Sequence, residues 1–356
     1  MPNNVASGLL PHGAGRVAGL VIDAYNAELR GEEGFLGDRA SKRAFLAILD
    51  ELREQLRRYG DDPLGEQDSG SIGKKRLDKL LVGEDAEAAA LLHGAVEEFA
   101  QELAQVIRRF LRLKGWRGTG RIVVGGGLRG SRLGELAIAR AGVILKAEGQ
   151  GIELHPIHHH PDEAGLIGGA HLAPRWMFAG HEAVLAADIG GSNIRAGLVE
   201  LNLKKDQDLR AARVMGFALW RHRDEAPTRD EAVARLCAML SDLAARAEKD
   251  RVKLAPFVGI GCPGLIAADG AITRGGQNLP GNWEDRGFSL PARLQESLPR
   301  IGGEETVIVM HNDAVVQGLS EAPFTRDVAH WGVLTIGTGL GNARFSTDVA
   351  EERRTG

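Results

Sequence analysis

The chain has 356 residues, a formal net charge of −4, 43% hydrophobic and 26% charged residues. As a prior this is about two ordinary globular domains, and it excludes a disordered, collagen-like or polyanion-binding chain. Two cysteines, Cys237 and Cys262, cannot build a disulfide framework or a thiolate zinc site, and no apolar run approaches the roughly 18 residues of a membrane span. Residues 1–36 are Gly-rich and yield no clear element. They begin Met1-Pro2-Asn3-Asn4-Val5, without the charged and apolar regions of a signal peptide, so a reducing, cytoplasmic location is expected. Residues 41–58 are predicted helical, with Phe45, Ile48, Leu49, Leu52 and Leu56 on one face. Residues 60–75 read as a polar loop whose Gly70–Lys75 stretch lacks P-loop spacing. A long amphipathic helix is expected over 87–113, with Leu92, Val96, Phe99, Leu103, Ile107 and Phe110 inward. A buried strand at 121–124 ends at Gly125-Gly126-Gly127, followed by a helix over 131–147, a strand over 152–157 and a small-residue helix over 162–173. Then come a strand at 184–188, a tight turn at 190–193, a returning strand at 194–201 and a third strand at 213–220. Thr228 and Glu231 form a capping box for a helix to about residue 248. Strands at 257–261, 307–310 and 331–336 end at Cys262-Pro263-Gly264, His311-Asn312-Asp313 and Gly337 respectively. Alternating strands and helices argue for α/β, with a domain boundary near 175–182.

The 48 glycines are roughly twice the usual share and cluster at strand ends, where backbone N–H groups can face a phosphate. Gly125 to Gly130 fits G-x-G-x-x-G. The 120 residues before it do not form a Rossmann half, so it reads either as nucleotide contact or as a plain strand–helix turn. Asp188-Ile189-Gly190-Gly191-Ser192-Asn193 is more informative. A carboxylate at a strand end can hold Mg²⁺ through water, the glycines open N–H groups to phosphate, and the hydroxyl and amide add donors; the plain alternative is a hairpin turn. Gly337-Thr338-Gly339-Leu340-Gly341 repeats the device. Asp313, just past a buried strand, suits a general base, with a helix N-cap as the structural alternative. His158-His159-His160 lacks zinc-site spacing and reads as a solvated loop.

Together these motifs resemble the ROK family (repressors, open reading frames and sugar kinases) of the actin-like ATPase superfamily. Asp188 to Gly197 resembles the first phosphate motif, Gly261-Cys262-Pro263-Gly264 the Pro-Gly turn, and Asn278-Leu279-Pro280-Gly281-Asn282-Trp283 the sugar-side loop. Asn312-Asp313-Ala314 resembles the catalytic segment and Gly337-Thr338-Gly339 the second phosphate motif. Asp162 to Ala173 resembles the closing helix, and Gly125 to Gly127 the adenosine loop. The order is that of a circular permutant, because residues 121–173 precede Asp188. The family's Glu-x-Gly-His motif and Cys-rich zinc loop are absent from the sequence, and no helix-turn-helix is visible.

The resemblance implies two actin-like (ribonuclease H-like) lobes with a nucleotide cleft between them. Residues 1–180 would be the adenosine-side lobe and 181–356 the phosphate- and sugar-binding lobe. The implied activity is that of an ATP-dependent kinase acting on a hydroxyl of a hexose-like sugar; the alternative is a non-catalytic sugar or nucleotide sensor. Asp188 would position Mg²⁺. Gly190, Gly191, Ser192 and Asn193 would hold the terminal phosphates with Thr338 and Gly339, while Gly126 and Gly127 pass under the adenosine. Asn278, Gly281, Asn312 and Asp313 would meet the sugar, with Asp313 taking its proton. No structural zinc, nucleic acid or membrane partner is expected, a homodimer is compatible with the reading, and ATP or polyphosphate is left open as donor.

Overall fold

The structure, a computed structural model, describes residues 8–31 and 34–347. The start of the chain, on which the expectation of no leader rested, lies outside the described residues. The chain divides into two compact units, each assembled from separate stretches. Of the described residues, 8–26, 158–329 and 343–347 form the first, and 27–31, 34–157 and 330–342 the second. The division expected at 180/181 is therefore not where the units part. Two elements account for the difference. The helix at 164–170 packs on the first unit's sheet, and the strand at 330–336 pairs with the strand at 121–125 in the second.

The chain opens in the first unit with the hairpin β1 (Arg16–Val17) and β2 (Leu20–Tyr25). In the second unit come β3 (Arg30–Gly31), β4 (Gly34–Phe35), α1 (Lys42–Arg57), α2 (Lys74–Leu81), α3 (Ala86–Arg112), β5 (Arg121–Gly125), α4 (Arg132–Ala147) and β6 (Glu153–Pro156). The chain returns to the first unit with α5 (Ala164–Ala170), β7 (Ala183–Ile189), β8 (Ile194–Glu200), β9 (Arg213–Trp220), α6 (Arg229–Lys249) and β10 (Leu254–Cys262). The hairpin β11 (Leu265–Ile266) and β12 (Ile272–Arg274) follows, then α7 (Leu290–Ser297), β13 (Arg300–Ile301), β14 (Glu304–Glu305), β15 (Val307–Asn312) and α8 (Asp313–Leu319). Last are β16 (His330–Ile336) in the second unit and β17 (Leu340–Thr347). The fold is mixed α/β, as its sequence pattern predicts. Among the described residues no helix is long and apolar enough to cross a membrane.

The first unit is built on a five-stranded sheet in the order β15-β10-β7-β8-β9. Strands β15, β10 and β7 are parallel, and β8 and β9 run antiparallel. Every residue of β7 is buried, as expected of a strand covered on both faces. Side chains alternate along it. Leu185, Ala187 and Ile189 join Leu236, Leu240 and Leu243 of α6 in one apolar cluster. Ala186 and Asp188 point the other way, toward α5. That helix lies very close to its neighbours because it is built of small residues. A Cβ on Gly168 would fall 1.7 Å from the Val316 carbonyl oxygen of α8. A Cβ on Gly259 of β10 would fall 2.1 Å from the Gly169 carbonyl oxygen.

In the second unit, β16, β5 and β6 form a parallel set, with Trp331 opposite Arg121 and Arg121 opposite Glu153. The apolar stripe of α3 is buried as its periodicity requires, and Phe99 meets Phe45 of α1 edge-on at 5.8 Å between ring centroids. The loop read as merely polar is organised by one buried cation. Arg53, 1% exposed, donates to Asp62, the Ser69 hydroxyl and the carbonyls of Gly65 and Gln67. The sequence reading also missed α2, whose buried face is only Leu77 and Leu81.

Candidate active site

Three parallel strand ends build the site of the first unit. In the register of the sheet, Gly261 of β10 lies opposite Asp188 of β7 on one side and His311 of β15 on the other. A Cβ on Gly261 would sit 3.5 Å from both Asp188 Oδ1 and the Asp313 Cα, so this glycine separates the two acids by little more than its backbone. Gly165 of α5 makes room on the other flank, where a Cβ would fall 2.8 Å from Asp188 Oδ1.

Asp188 is 3% exposed. Its Oδ2 accepts from Arg195 at 3.2 Å, and the same guanidinium donates to Asp162 at 2.9 Å. Burial raises the Asp188 carboxyl above its ordinary value, Arg195 opposes that shift, and Asp162 adds to it. Arg195 and Asp162 were not singled out by the sequence reading, although Arg195 lies within the first phosphate motif. The signal was a basic residue two positions past the glycine turn on a returning strand.

Asp313 is half-buried and opens α8. Burial, and next the negative charge of Asp188, push its carboxyl up to about 7, against the Ala314 N–H that donates to it at 2.9 Å. It is not the helix cap. Asn312 is, with its Oδ1 accepting from the N–H groups of Ala314 and Val315. The Asn312 Nδ2 donates to the Gly264 carbonyl at 3.0 Å, and the residue is 2% exposed. Asn312, expected to meet the sugar, uses its oxygen and one amide proton inside the protein, tying the Pro-Gly turn to the start of α8. Cys262 lies beside the pair. Burial first, then the two carboxylates, raise its thiol well above the ordinary range and keep it protonated. His311 is held neutral by burial, with a pKa of about 4, and its Nε2 faces the Ala14 carbonyl at 3.0 Å.

The turn after Asp188 closes through the Gly190 N–H donating to the Asn193 carbonyl at 2.9 Å. His222 Nε2 lies 2.8 Å from the Gly190 carbonyl, and the Arg223 N–H donates to the Ser192 carbonyl. Asn278 is exposed, and its Cβ lies 2.9 Å from where a Gly191 Cβ would stand, so the loop of Asn278 and the turn at Gly190–Asn193 meet. Gly281 has φ +75° and is held against Arg229, which donates to the Asn282 carbonyl.

The remaining expected residues belong to the second unit. A Cβ on Gly126 (φ +86°) would fall 2.3 Å from the Ile336 carbonyl oxygen, so this turn abuts the end of β16. Immediately beyond, the Gly337 N–H donates to the Gly339 carbonyl at 2.9 Å around Thr338, and the Lys42 N–H donates to the Gly337 carbonyl. The Gly126 turn and the Gly337–Gly339 turn, expected at the adenosine and the phosphates, are thus neighbours within one unit. Lys74, at the start of α2, donates to the Gly127 carbonyl at 2.5 Å, a contact absent from the sequence reading.

The histidine run is not simply solvated. His158 Nδ1 lies 2.6 Å from Glu321, whose side chain is fully buried, and its ring stacks on Phe324 at 4.1 Å. Burial, with the neighbouring His158, lowers the His159 pKa to about 4. Among the described residues, no group of three or more His, Cys, Asp or Glu is placed to hold a metal ion.

No protein-family model matches the chain, and no curated protein matches it. Solved structures do. A ROK family glucokinase from Streptomyces griseus, in complex with glucose and AMPPNP, is similar at 22% identity and a TM-score of 0.35, over 47% of this chain and 45% of that one. A ROK hexokinase from Thermus thermophilus is similar at 23% identity and a TM-score of 0.32, over 45% of each chain. This chain therefore spans somewhat less than half the length of either kinase.

Proposed function

We propose that this chain is an ATP-dependent kinase of the ROK type, in circularly permuted order, that phosphorylates a hydroxyl of a hexose-like sugar. The observation that carries the reading is the acid pair at the ends of β7 and β15, the two strands that flank β10. Asp313 is half-buried, is not engaged as the helix cap, and titrates at about 7 because of its burial and, next, the charge of Asp188 on the other side of Gly261. A general base works best with a pKa near the working pH, and a sugar hydroxyl must lose its proton as the phosphoryl group arrives. Asp313 takes that proton at a carboxylate oxygen. Asn278 and Gly281 shape the sugar side. Gly190, Gly191, Ser192 and Asn193 offer backbone and side-chain donors to the terminal phosphates, with Thr338 and Gly339 as a second such turn. Gly126 and Gly127 bear the adenosine.

Magnesium fits Asp188. Of its two oxygens only Oδ2 accepts from Arg195, and a single hard carboxylate is the kind of ligand taken, directly or through water, by an ion that keeps most of its waters. Bound there, it would neutralise charge on the phosphates. The permuted order is supported by α5, the segment resembling the closing helix, which packs its Gly165 directly on Asp188. A cytoplasmic location, where ATP and free thiols are both maintained, goes with this reading.

A coupled ADP-release screen over glucose, mannose, fructose, glucosamine and their N-acetyl forms tests it. Release dependent on one sugar supports the kinase. Sugar phosphate formed from polyphosphate without ADP changes the donor. Retained nucleotide binding with no release for any sugar overturns the kinase in favour of a sensor.

A further inference from the structure

We infer that Asn26, contributed by the chain's N-terminal segment, is a specificity-determining residue that contacts the sugar. The inference rests on the kinase reading and deepens it. The segment before β1 runs along β15: the Gly13 N–H donates to the Met310 carbonyl at 3.0 Å, and the Met310 N–H donates to His12 Nδ1 at 3.0 Å. The chain then turns through β1 and β2. The end of β2 is pinned by Tyr25, whose ring meets His311 edge-on at 5.2 Å and whose phenol oxygen is hydrogen-bonded by the backbone of Ile266. Asn26 follows directly and adopts the left-handed conformation, φ 50°, which is uncommon outside glycine and best tolerated by Asn and Asp.

That conformation delivers its amide to the root of the sugar-side loop. A Cβ on Gly275 would fall 2.8 Å from Asn26 Nδ2 and 2.8 Å from the Gly264 Cα. Gly264 is the residue whose carbonyl Asn312 holds, one residue before Asp313. Gly275 begins the loop that carries Asn278 and Gly281, and the next residue, Gly276, donates its N–H to Glu284 at 2.8 Å. Asn26 thus stands between the loop that meets the sugar and the turn that positions the base. Its amide is half-buried and makes no hydrogen bond among the described residues. A preorganised amide of this kind, with both donor and acceptor unengaged, matches a sugar hydroxyl, which needs one of each. Substrate discrimination is strongest where a site is built to hydrogen-bond a hydroxyl.

The test compares Asn26→Ala, Asn26→Gly and Asn26→Asp with the native chain, using the sugar that gives the best ADP release. Glycine accepts the left-handed backbone, so Asn26→Gly removes the amide without strain should the alanine variant unfold. The expected result for Ala and Gly is a rise of about tenfold in the KM for that sugar, the loss of one neutral hydrogen bond. The KM for ATP should stay within about twofold, and the preference among the epimers glucose and mannose should change. Isothermal titration of the same sugar in the absence of nucleotide should weaken in parallel. Native turnover with an unchanged sugar KM in the folded Gly variant overturns the role of Asn26 and leaves the kinase reading intact. A native chain that neither releases ADP nor binds any sugar by titration overturns both.

Discussion

The two units carry glycine turns of the same kind in opposite chemical surroundings. In the first, the turn at Gly190–Asn193 follows a buried carboxylate, and the second acid, Asp313, faces it, while Arg195 ties Asp188 to Asp162. In the second, Gly126 and the Gly337–Gly339 turn are packed by backbone, the N-terminus of α1 and the Lys74 ammonium. One arrangement gathers two acids, of which Asp313 titrates at about 7. The other offers N–H groups and positive charge, which suit an anion but move no proton. The proposed kinase reading places bond-making chemistry in the first unit and nucleotide holding in the second.

The assignment is most severely tested at Asp313. Asp313→Asn keeps the shape and removes the base, so kcat should fall at least about a hundredfold while the KM for ATP stays within about twofold. Steady-state kinetics with the best sugar measures both. An equal loss in both parameters would erase the contrast between the units.

Arg53→Met should be the largest stability defect of the second unit, about 3 kcal/mol. It leaves Asp62 with less compensation, the Gly65 carbonyl with only the longer bond from Arg57, and the Gln67 carbonyl without its Arg53 donor. Urea unfolding gives the number, and kcat of the folded variant should be unchanged. Burial alone would raise the Asp62 carboxyl, but the Leu64 N–H, Arg53 and Arg57 together hold it below its ordinary value. That contribution is present above the unfolded pKa and is lost as pH falls through the folded one. The acid-induced loss of stability should accordingly be shallower in Arg53→Met.

A smaller effect separates glycines that pack from glycines that wait for a ligand. Gly168→Ala forces a methyl against the Val316 carbonyl and should cost about 1–3 kcal/mol. Gly127→Ala meets only the Lys74 ammonium at 3.8 Å, so its stability should shift by less than about 0.5 kcal/mol, and its effect should appear in nucleotide affinity. Thermal melts with and without ATP distinguish the two.

The pH dependence at Asp313 has a sign opposite to that at Asp62. Because the folded Asp313 carboxyl titrates at about 7, above its ordinary 3.8, the unfolded chain gives up that proton first. Stability is lost as pH rises between those values. Asp313→Asn should therefore raise Tm more at pH 8 than at pH 4. In the native chain, kcat/KM should climb with pH through about 7 as the base ionises.

The glycine turns at strand ends, the acid at the start of α8 and the long helix α3 were readable because each is a local device. Glycines after an apolar strand, an acid after another, and a 3.6-residue stripe need no knowledge of partners. The role of Asn312 was not readable. Whether an Asn at a strand end faces a ligand or caps a helix depends on where Gly264, nearly fifty residues earlier in the chain, comes to lie. Arg53 looked like any surface arginine of an amphipathic helix, since the loop that buries it begins several residues later. The histidine run looked solvated because Glu321, its buried partner, is 163 residues away.

The sequence by itself determined the α/β character, the strand-end positions of Asp188, Asp313 and the glycine turns, and the motif order. Those follow from side-chain periodicity and from the few residue types that tolerate tight turns. Only the tertiary structure decided where the units part, which acids face each other and which Asn is engaged. Sheet register across Gly261 joins residues 188 and 311 and so brings Asp313, just past β15, close to Asp188, and the close packing of α5 joins residues 165 and 188. Such juxtapositions are set by backbone pairing between distant segments, and the resulting burial, together with charge proximity, raises the Asp313 carboxyl to near-neutral pH.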